Sequence, residues 1–284
     1  MKPKPIGIIG GSGLYEMEAL KITERKKIET PFGDASDEFV AGELSEVPVI
    51  FLARHGQGHR ILPSEINYRA NIWGFKSLGV ERILSVSAVG SLKEEIEPGH
   101  LVFVDQFVDR TARRISTFFG DGVVAHVALA DPICPSLRAS LAQAAQELKL
   151  NFHPKGTYIC IEGPQFSTRA ESNIYRGFQA DLIGMTNVTE AKLAREAEIC
   201  YATIALSTDY DCWHPEHDSV TADQVIQTLV ANVEKARRLL QGVLPLLKGE
   251  RTCACGRALK HAVVTDRKKI PESTRRRLSL LLGD

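Results

Sequence analysis

The chain reads as an α/β protein, a central mixed and twisted β-sheet flanked by helices. Three observations predict this. Short apolar runs rich in strand formers alternate with helical patterns almost from end to end. Several runs are apolar at consecutive positions, as in Val49-Ile50-Phe51-Leu52, the habit of strands buried on both faces. A chain of 284 residues can also bury roughly 75% of its unfolded surface, enough for a core without staples.

In chain order the expected strands are Ile6 to Ile9, Val47 to Ala53, Arg82 to Ala88, Leu101 to Val104, Thr157 to Ile161, Leu182 to Met185 and Cys200 to Leu206. Leu137, Leu141, Ala144 and Leu148 recur at helical spacing. A longer helix is expected to open at Thr221, with Gln224 three residues on as a capping box. It carries Val225, Leu229, Val233, Ala236 and Leu240 on one face until Pro245 stops it.

Charge and composition narrow the classes. Lys and Arg number 35 against 35 Asp and Glu, which excludes a disordered polyelectrolyte and argues against a nucleic-acid coat. No run approaches the roughly 20 apolar residues that span a bilayer. The start, Met1-Lys2-Pro3-Lys4-Pro5, lacks the apolar stretch of a signal peptide. A cytoplasmic protein with no membrane or nucleic-acid partner is expected. Six cysteines are too sparse for a disulfide-built scaffold.

Residues 1–248 are expected to form the main domain and residues 249–284 a basic extension. The extension holds nine Lys or Arg against four Asp or Glu. Arg267-Lys268-Lys269 and Arg275-Arg276-Arg277 suggest a solvated segment, whereas Leu278-Ser279-Leu280-Leu281-Leu282 is suited to docking on the body or on a neighbouring subunit.

Six segments could carry chemistry. Gly10-Gly11-Ser12-Gly13 follows the first strand; glycines free the backbone N–H groups to face an anion, and Ser12 adds a hydroxyl. A dinucleotide fingerprint fails, because position 16 is Glu16, and no GxxxxGK[ST] motif exists. A tight turn without a ligand gives the same pattern. Arg54-His55-Gly56, with His59-Arg60 behind it, ends the strand from Val47, where ligands collect in open α/β sheets; its alternative is a solvated basic loop. Ser87-Ala88-Val89-Gly90-Ser91 would make a third anion-binding strand end.

The fourth segment, Ser207 to Trp213, carries Asp209 and Asp211 two residues apart, on one face if the chain is extended. A protonated acid and a carboxylate side by side would fit adenine's N7 acceptor and N6 donor. The alternative is a capping or metal-binding pair. In Glu162 to Ser167, Phe166 could stack on a planar base and Ser167 could bond its edge. In Gly184-Met185-Thr186-Asn187, Met185 ends an apolar run and Thr186 offers a hydroxyl; both of these segments also read as plain core-to-loop transitions.

Together these segments resemble the methylthioadenosine phosphorylases of the trimeric purine nucleoside phosphorylase family, from Ile6 to about Leu247. The resemblance rests on GIIGGSGLY at 7–15, TPFG at 30–33, LARHG at 52–56, NYRANIW at 67–73 and SAVGSL at 87–92. It continues in EGPQFSTRAES at 162–172, MTNVTEAKLARE at 185–196 and STDYDCW at 207–213. It implies a nucleoside phosphorylase-like fold and a pentosyltransferase of purine and methionine salvage. The implied reaction is phosphorolysis of 5′-methylthioadenosine, with inorganic phosphate as co-substrate and no cofactor or metal.

The resemblance also implies residue roles. Phosphate would be held by Ser12, Arg54, His55, Ser87, Ala88 and Thr186. Asp209, Asp211 and Ser167 would be catalytic, with Phe166 against the base and Met185 against the ribose. His59, Val220, Ala222, Val225 and Ile226 would line the 5′-alkylthio pocket, and a neighbouring subunit would contribute His126, which implies a homotrimer. Ser12 and Ser87 stand where threonine is common, and serine keeps the hydroxyl. Cys253-Ala254-Cys255 is absent from many relatives and is similar to a CxC of some heat-adapted archaeal members; the same likeness allows a Cys134–Cys200 pair, with reduced cysteines as the alternative in both cases. Cys253, Cys255 and His261 supply at most three of the four ligands zinc requires.

Three rivals follow. A general purine nucleoside phosphorylase is opposed by Asp209 and Asp211, since 6-oxo-selective members usually carry asparagine at the amino-reading position. A non-catalytic nucleoside-binding protein is opposed by the full phosphate and base constellations. An RNA-associated role for the tail is opposed by neutral overall charge.

Overall fold

The computed structural model describes residues 3–14, 17, 19–214 and 222–283, with backbone alone at 12, 222–227 and 229. Its strands are β1 (Ile6–Gly10), β2 (Lys21–Lys26), β3 (Phe39–Leu44), β4 (Val47–Ala53), β5 (Arg82–Ser91), β6 (Leu101–Phe103), β7 (Gln106–Asp109), β8 (Phe152–His153), β9 (Thr157–Cys160), β10 (Leu182–Gly184) and β11 (Cys200–Asp209). The helices are α1 (Tyr68–Ser77), α2 (Pro135–Glu147), α3 (Arg169–Gly177), α4 (Asn187–Glu196), α5 (Ala222–Val243), α6 (Glu272–Arg277) and α7 (Ser279–Leu282).

One mixed sheet contains every strand, and β5 is its junction. β1 lies between β4 and β5, parallel to both, and β11 runs parallel along the other edge of β5. Beyond the end of β1, Gly90 and Ser91 of β5 pair antiparallel with β10, which continues through β9 to β7. β11 adds β6 and then β8, and β3 and β2 extend the opposite margin antiparallel. The centre is dry because its sequence is apolar on both faces: all of β1 and all but the last residue of β11 are buried. Parallel strands β1, β4, β5 and β11 run in one direction, so their carboxyl ends lie on the same side, with β5 and β11 extending past β1 and β4.

The seven expected strands are present, and β11 runs on to Asp209. Strands β2, β3, β7 and β8 and helices α1, α3 and α4 were not expected. The predicted cap at Thr221 lies outside the described residues; α5 gives way to a 3-10 turn, Leu244–Leu247, that contains Pro245. The extension is not a solvated arm. Cys255, Ile270, Leu278, Leu281 and Leu282 join the main core, and the Val124 and Val264 backbones bond, so the apolar end docks on the body of its own chain. No helix among the described residues is long and apolar enough to cross a membrane.

Candidate active site

At the carboxyl ends of these strands opens a cavity of about 500 Å³. Arg54, His55, His59, Ser87, Ala88, Phe166, Ser167, Met185, Thr186, Asp209 and Asp211 all line it, brought together from segments spread over most of the chain. Ser12 sits in the 3-10 turn Ser12–Leu14, between the lining residues Gly11 and Gly13. Val220 lies outside the described residues. Ala222, Val225 and Ile226 fall on the backbone-only start of α5, whose later residues Val230 and Val233 reach the cavity. His126 is not among the residues lining the cavity of its own chain; its backbone N–H donates to Ala262 O beside the docked extension.

At one end of the cavity the groups suit an anion. Thr186 caps α4 without a side-chain bond to the helix backbone, so the first N–H groups of that helix remain available for a ligand. Arg54 is buried, and its Nε donates to Glu190 Oε1 at 2.5 Å and its Nη2 to Glu190 Oε2 at 3.2 Å. Nη2 also donates to Ser85 Oγ and Nη1 to Val86 O. Burial disfavours the guanidinium charge, but Glu190 outweighs it and holds the pKa of Arg54 above its ordinary value. Ser85, Tyr201 and Asn187 close the network: the hydroxyls of Ser85 and Tyr201 donate to Glu190 Oε2, and Asn187 Nδ2 donates to both hydroxyls.

His55 stands beside Arg54, and burial together with the Arg54 charge pushes its pKa down to about 4. The neutral ring has its Nδ1 2.8 Å from Ile61 O, a geometry that assigns the proton to Nδ1 and leaves Nε2 an acceptor. His59 stacks on it, ring centroids 4.2 Å apart.

The other end holds the two acids. β11 stops at Asp209, and Asp211 lies in the following turn with a φ of 51°. The expectation of two side chains on one extended face is therefore corrected: a turn, not strand alternation, brings both to the cavity. The Asp211 N–H donates to Asp209 Oδ1 at 2.8 Å and Thr208 Oγ1 donates to Oδ2 at 2.6 Å. Burial raises the Asp209 pKa against those two bonds. Asp211 is pushed up to about 6, first by burial and also by the Asp209 charge. Gly90 makes room for this pair, since a Cβ there would lie 2.9 Å from Asp209 Oδ1.

Phe166, half exposed, and Ser167 approach from the loop after β9. Ser167 Oγ is cut off from solvent and has no hydrogen-bond partner among the described residues. The loop is fixed by Arg114, which donates to Glu162 Oε1, to the carbonyls of Glu162 and Ile161, and to Met185 O. The N–H groups of Ala112 and Arg113, the Ser64 hydroxyl and the Arg114 charge outweigh the effect of burial and hold the Glu162 pKa at about 2. Arg114 and Glu190 were both missed from sequence. Arg114 sits in an irregular stretch with no motif around it, and Glu190 looks like an ordinary surface acid within MTNVTEAKLARE.

Among the described residues, no group of three or more His, Cys, Asp or Glu at the cavity is arranged to hold a metal ion. Elsewhere the expected ligand count is corrected. Cys253 and Cys255 are joined by Cys134 and Cys200, so four sulfurs converge where at most three ligands were foreseen. All six cysteines are unpaired.

The family profile of the phosphorylase superfamily matches residues 5–245. The chain is 58% identical to an S-methyl-5′-thioadenosine phosphorylase of Geobacter sulfurreducens over 279 residues, 98% of each chain. It is 54% identical to one of Koribacter versatilis, over 98% of this chain and 95% of that one. Among solved structures, a methylthioadenosine phosphorylase from an antarctic soil metagenomic library superposes with a TM-score of 0.94 at 52% identity, covering 99% of both chains. A variant adenosine/methylthioadenosine phosphorylase of Schistosoma mansoni, in complex with methylthioadenosine, gives 0.84 at 38% identity over 90% of this chain and 96% of that one. The profile spans all of β1 to α5, and the relatives are alike over nearly their whole length: the chain belongs to the phosphorylase superfamily.

Proposed function

We propose that the chain cleaves 5′-methylthioadenosine with inorganic phosphate, releasing adenine and 5-methylthioribose 1-phosphate. The observation that carries this reading is a single cavity with a capped helix N-terminus and a buried arginine at one end and two raised-pKa carboxyls at the other. The names of the relatives support it.

Phosphate is held by the N–H groups of the 11–13 turn and of α4, with Arg54, His55, Ser12, Ser87, Ala88 and Thr186 around it. His55 Nε2 accepts the P–OH hydrogen of the phosphate, which suits a ring kept neutral. The anion sits below the anomeric carbon and stabilises the oxocarbenium character that builds as the glycosidic bond breaks.

Adenine must leave without full negative charge. Burial raises the pKa of both Asp209 and Asp211, and burial of the purine against them favours the protonated form further. Asp209 donates to N7, Asp211 accepts from the N6 amino group, and Ser167 Oγ gains the partner it lacks by bonding the base edge. Phe166 stacks on the purine and Met185 packs on the ribose. The resemblance assigns the methylthio group to His59, Val220, Ala222, Val225 and Ile226. His126 of a second copy completes that pocket in a homotrimer, and the enzyme works in the cytoplasm without a cofactor.

The test is incubation of purified protein with phosphate and, in turn, methylthioadenosine, adenosine and inosine, following free-base release. Fastest release from methylthioadenosine, none without phosphate and little from inosine is the expected result. Equal turnover of inosine, or release without phosphate, overturns the reading. Light scattering during size exclusion separates a trimer from a monomer.

A further inference from the structure

Opposite the cavity, at the start of β11, the sulfur atoms of Cys134, Cys200, Cys253 and Cys255 all lie within 4.8 Å of one another. They come from three separate segments: the residue before α2, the first residue of β11, and the extension. Three of the four side chains are buried and the fourth is half-buried. We propose that these four thiolates bind one zinc ion, which clips the C-terminal extension to the body of the protein.

The geometry suits the ion. Four sulfurs at about 2.3 Å from a tetrahedral zinc stand ~3.8 Å apart, so only small side-chain rotations are needed from the present cluster. Cys200 Sγ and Cys253 Sγ are 3.2 Å apart in a thiol–thiol hydrogen bond, a contact that the ion would open slightly as it replaces the shared proton. Soft thiolates in a tetrahedral set select zinc over hard cations such as magnesium or calcium.

The surroundings suit the charge. Zinc with four thiolates is a dianion, and Arg82, Lys248 and Arg251, against the one acid Glu250, line a 180 Å³ cavity that also touches Cys134, Cys200 and Cys253. Arg82 is the register partner of Cys200. Cys134 caps α2 without a side-chain bond, so that helix presents its positive end to the sulfur. The same cavity gives the ion a way in.

The role is structural. β11 carries Cys200 at its first residue and Asp209 at its last, so at ~3.3 Å per residue the two sites stand about 30 Å apart along the strand. Binding four ligands from separate segments couples the metal to folding. Loss of the ion loosens the start of the extension around Cys253 and Cys255, while Ile270, Leu278, Leu281 and Leu282 keep its end on the core and the acids are untouched.

The experiment uses the full chain, purified under reductant, stripped with a chelator, incubated with zinc chloride alone and desalted. Elemental analysis is expected to find about one zinc per chain, and a Cys253→Ser, Cys255→Ser double variant at least tenfold less. Because that variant could fold poorly, the wild-type protein is also loaded with cobalt(II). Intense visible bands of tetrahedral cobalt with sulfur-to-metal charge transfer are expected. Zinc below a tenth of stoichiometry in the wild type, or a cobalt spectrum without thiolate charge transfer, overturns the proposal. So does peptide mapping that finds these four cysteines joined as disulfides in protein isolated separately without reductant.

Discussion

At the phosphate end of the cavity, Arg54 commits four hydrogen bonds to Glu190, Ser85 and Val86, inside a network closed by Tyr201 and Asn187. At the base end, two acids stand beside a half-exposed Phe166 and a Ser167 hydroxyl with no partner among the described residues. One end has its charges compensated before any ligand arrives. The other keeps raised-pKa carboxyls and a hydroxyl with no partner among the described residues, which a ligand would complete. The contrast teaches that the first region is scaffold as well as site, so its residues answer to stability. The second answers to catalysis and selectivity, and tolerates instability for them.

Breaking the scaffold end gives the largest expected effect. Arg54→Ala leaves Glu190 buried without its cation, which typically costs about 3–5 kcal/mol. Denaturant unfolding is expected to show that loss, on top of weaker phosphate binding. A variant as stable as the wild type, with only phosphate affinity reduced, would assign the arginine to the ligand alone.

The base end should respond in rate. Asp209→Asn removes the proposed proton donor while keeping the shape and a partner for Thr208, and kcat is expected to fall about 10²–10⁴-fold with KM and unfolding midpoint little changed. A kcat within twofold of the wild type would remove Asp209 from the acid role.

Asp211 sharpens the comparison through pH. Its folded pKa is about 6 against an ordinary 3.8, so the folded state binds the proton more tightly than the unfolded one. Above about pH 6 the group is ionised in both states and the folded state bears the penalty, at most ~3 kcal/mol. The penalty fades as pH falls from about 6 towards the ordinary 3.8, and is gone only well below that value, where both states are protonated. Asp211→Asn is therefore expected to raise the melting temperature at pH 8 and to give much less gain at pH 4, while shifting preference towards 6-oxopurines by about tenfold or more. Equal stabilisation at both pH values would refute the buried-carboxylate account.

The two regions were also unequally legible. β4 and β11 announce themselves by unbroken apolar runs, and Arg54 and Asp209 could be placed because each follows such a run. β2 is invisible to the same reading, because Lys-Ile-Thr-Glu-Arg-Lys is an exposed, charged edge strand. α4 shows no amphipathic period because eight of its ten residues are buried, and that hid Glu190, the partner on which Arg54 depends. The i, i+2 argument joined Asp209 to Asp211 for the wrong geometric reason: the strand had already ended, and a left-handed residue made the meeting. The sulfur cluster was illegible because its ligands converge from three distant segments, and proximity of that kind is a product of the fold.

Phe166 tests whether the two ends are separable. Its ring reaches the cavity from a loop and is 51% exposed, so burying it on a purine face adds contact that the free protein lacks. Aromatic stacking is worth about 0.5–1.5 kcal/mol, and Phe166→Ala is expected to raise the nucleoside KM roughly 2–12-fold. The phosphate KM should stay fixed, because no part of the Arg54 network touches this loop except through the backbone that Arg114 pins. Steady-state kinetics with each substrate varied in turn reads both constants. If the phosphate KM rises by the same factor, the loop transmits to the far end, and the paired-charge scaffold is not the independent unit that its hydrogen bonding describes.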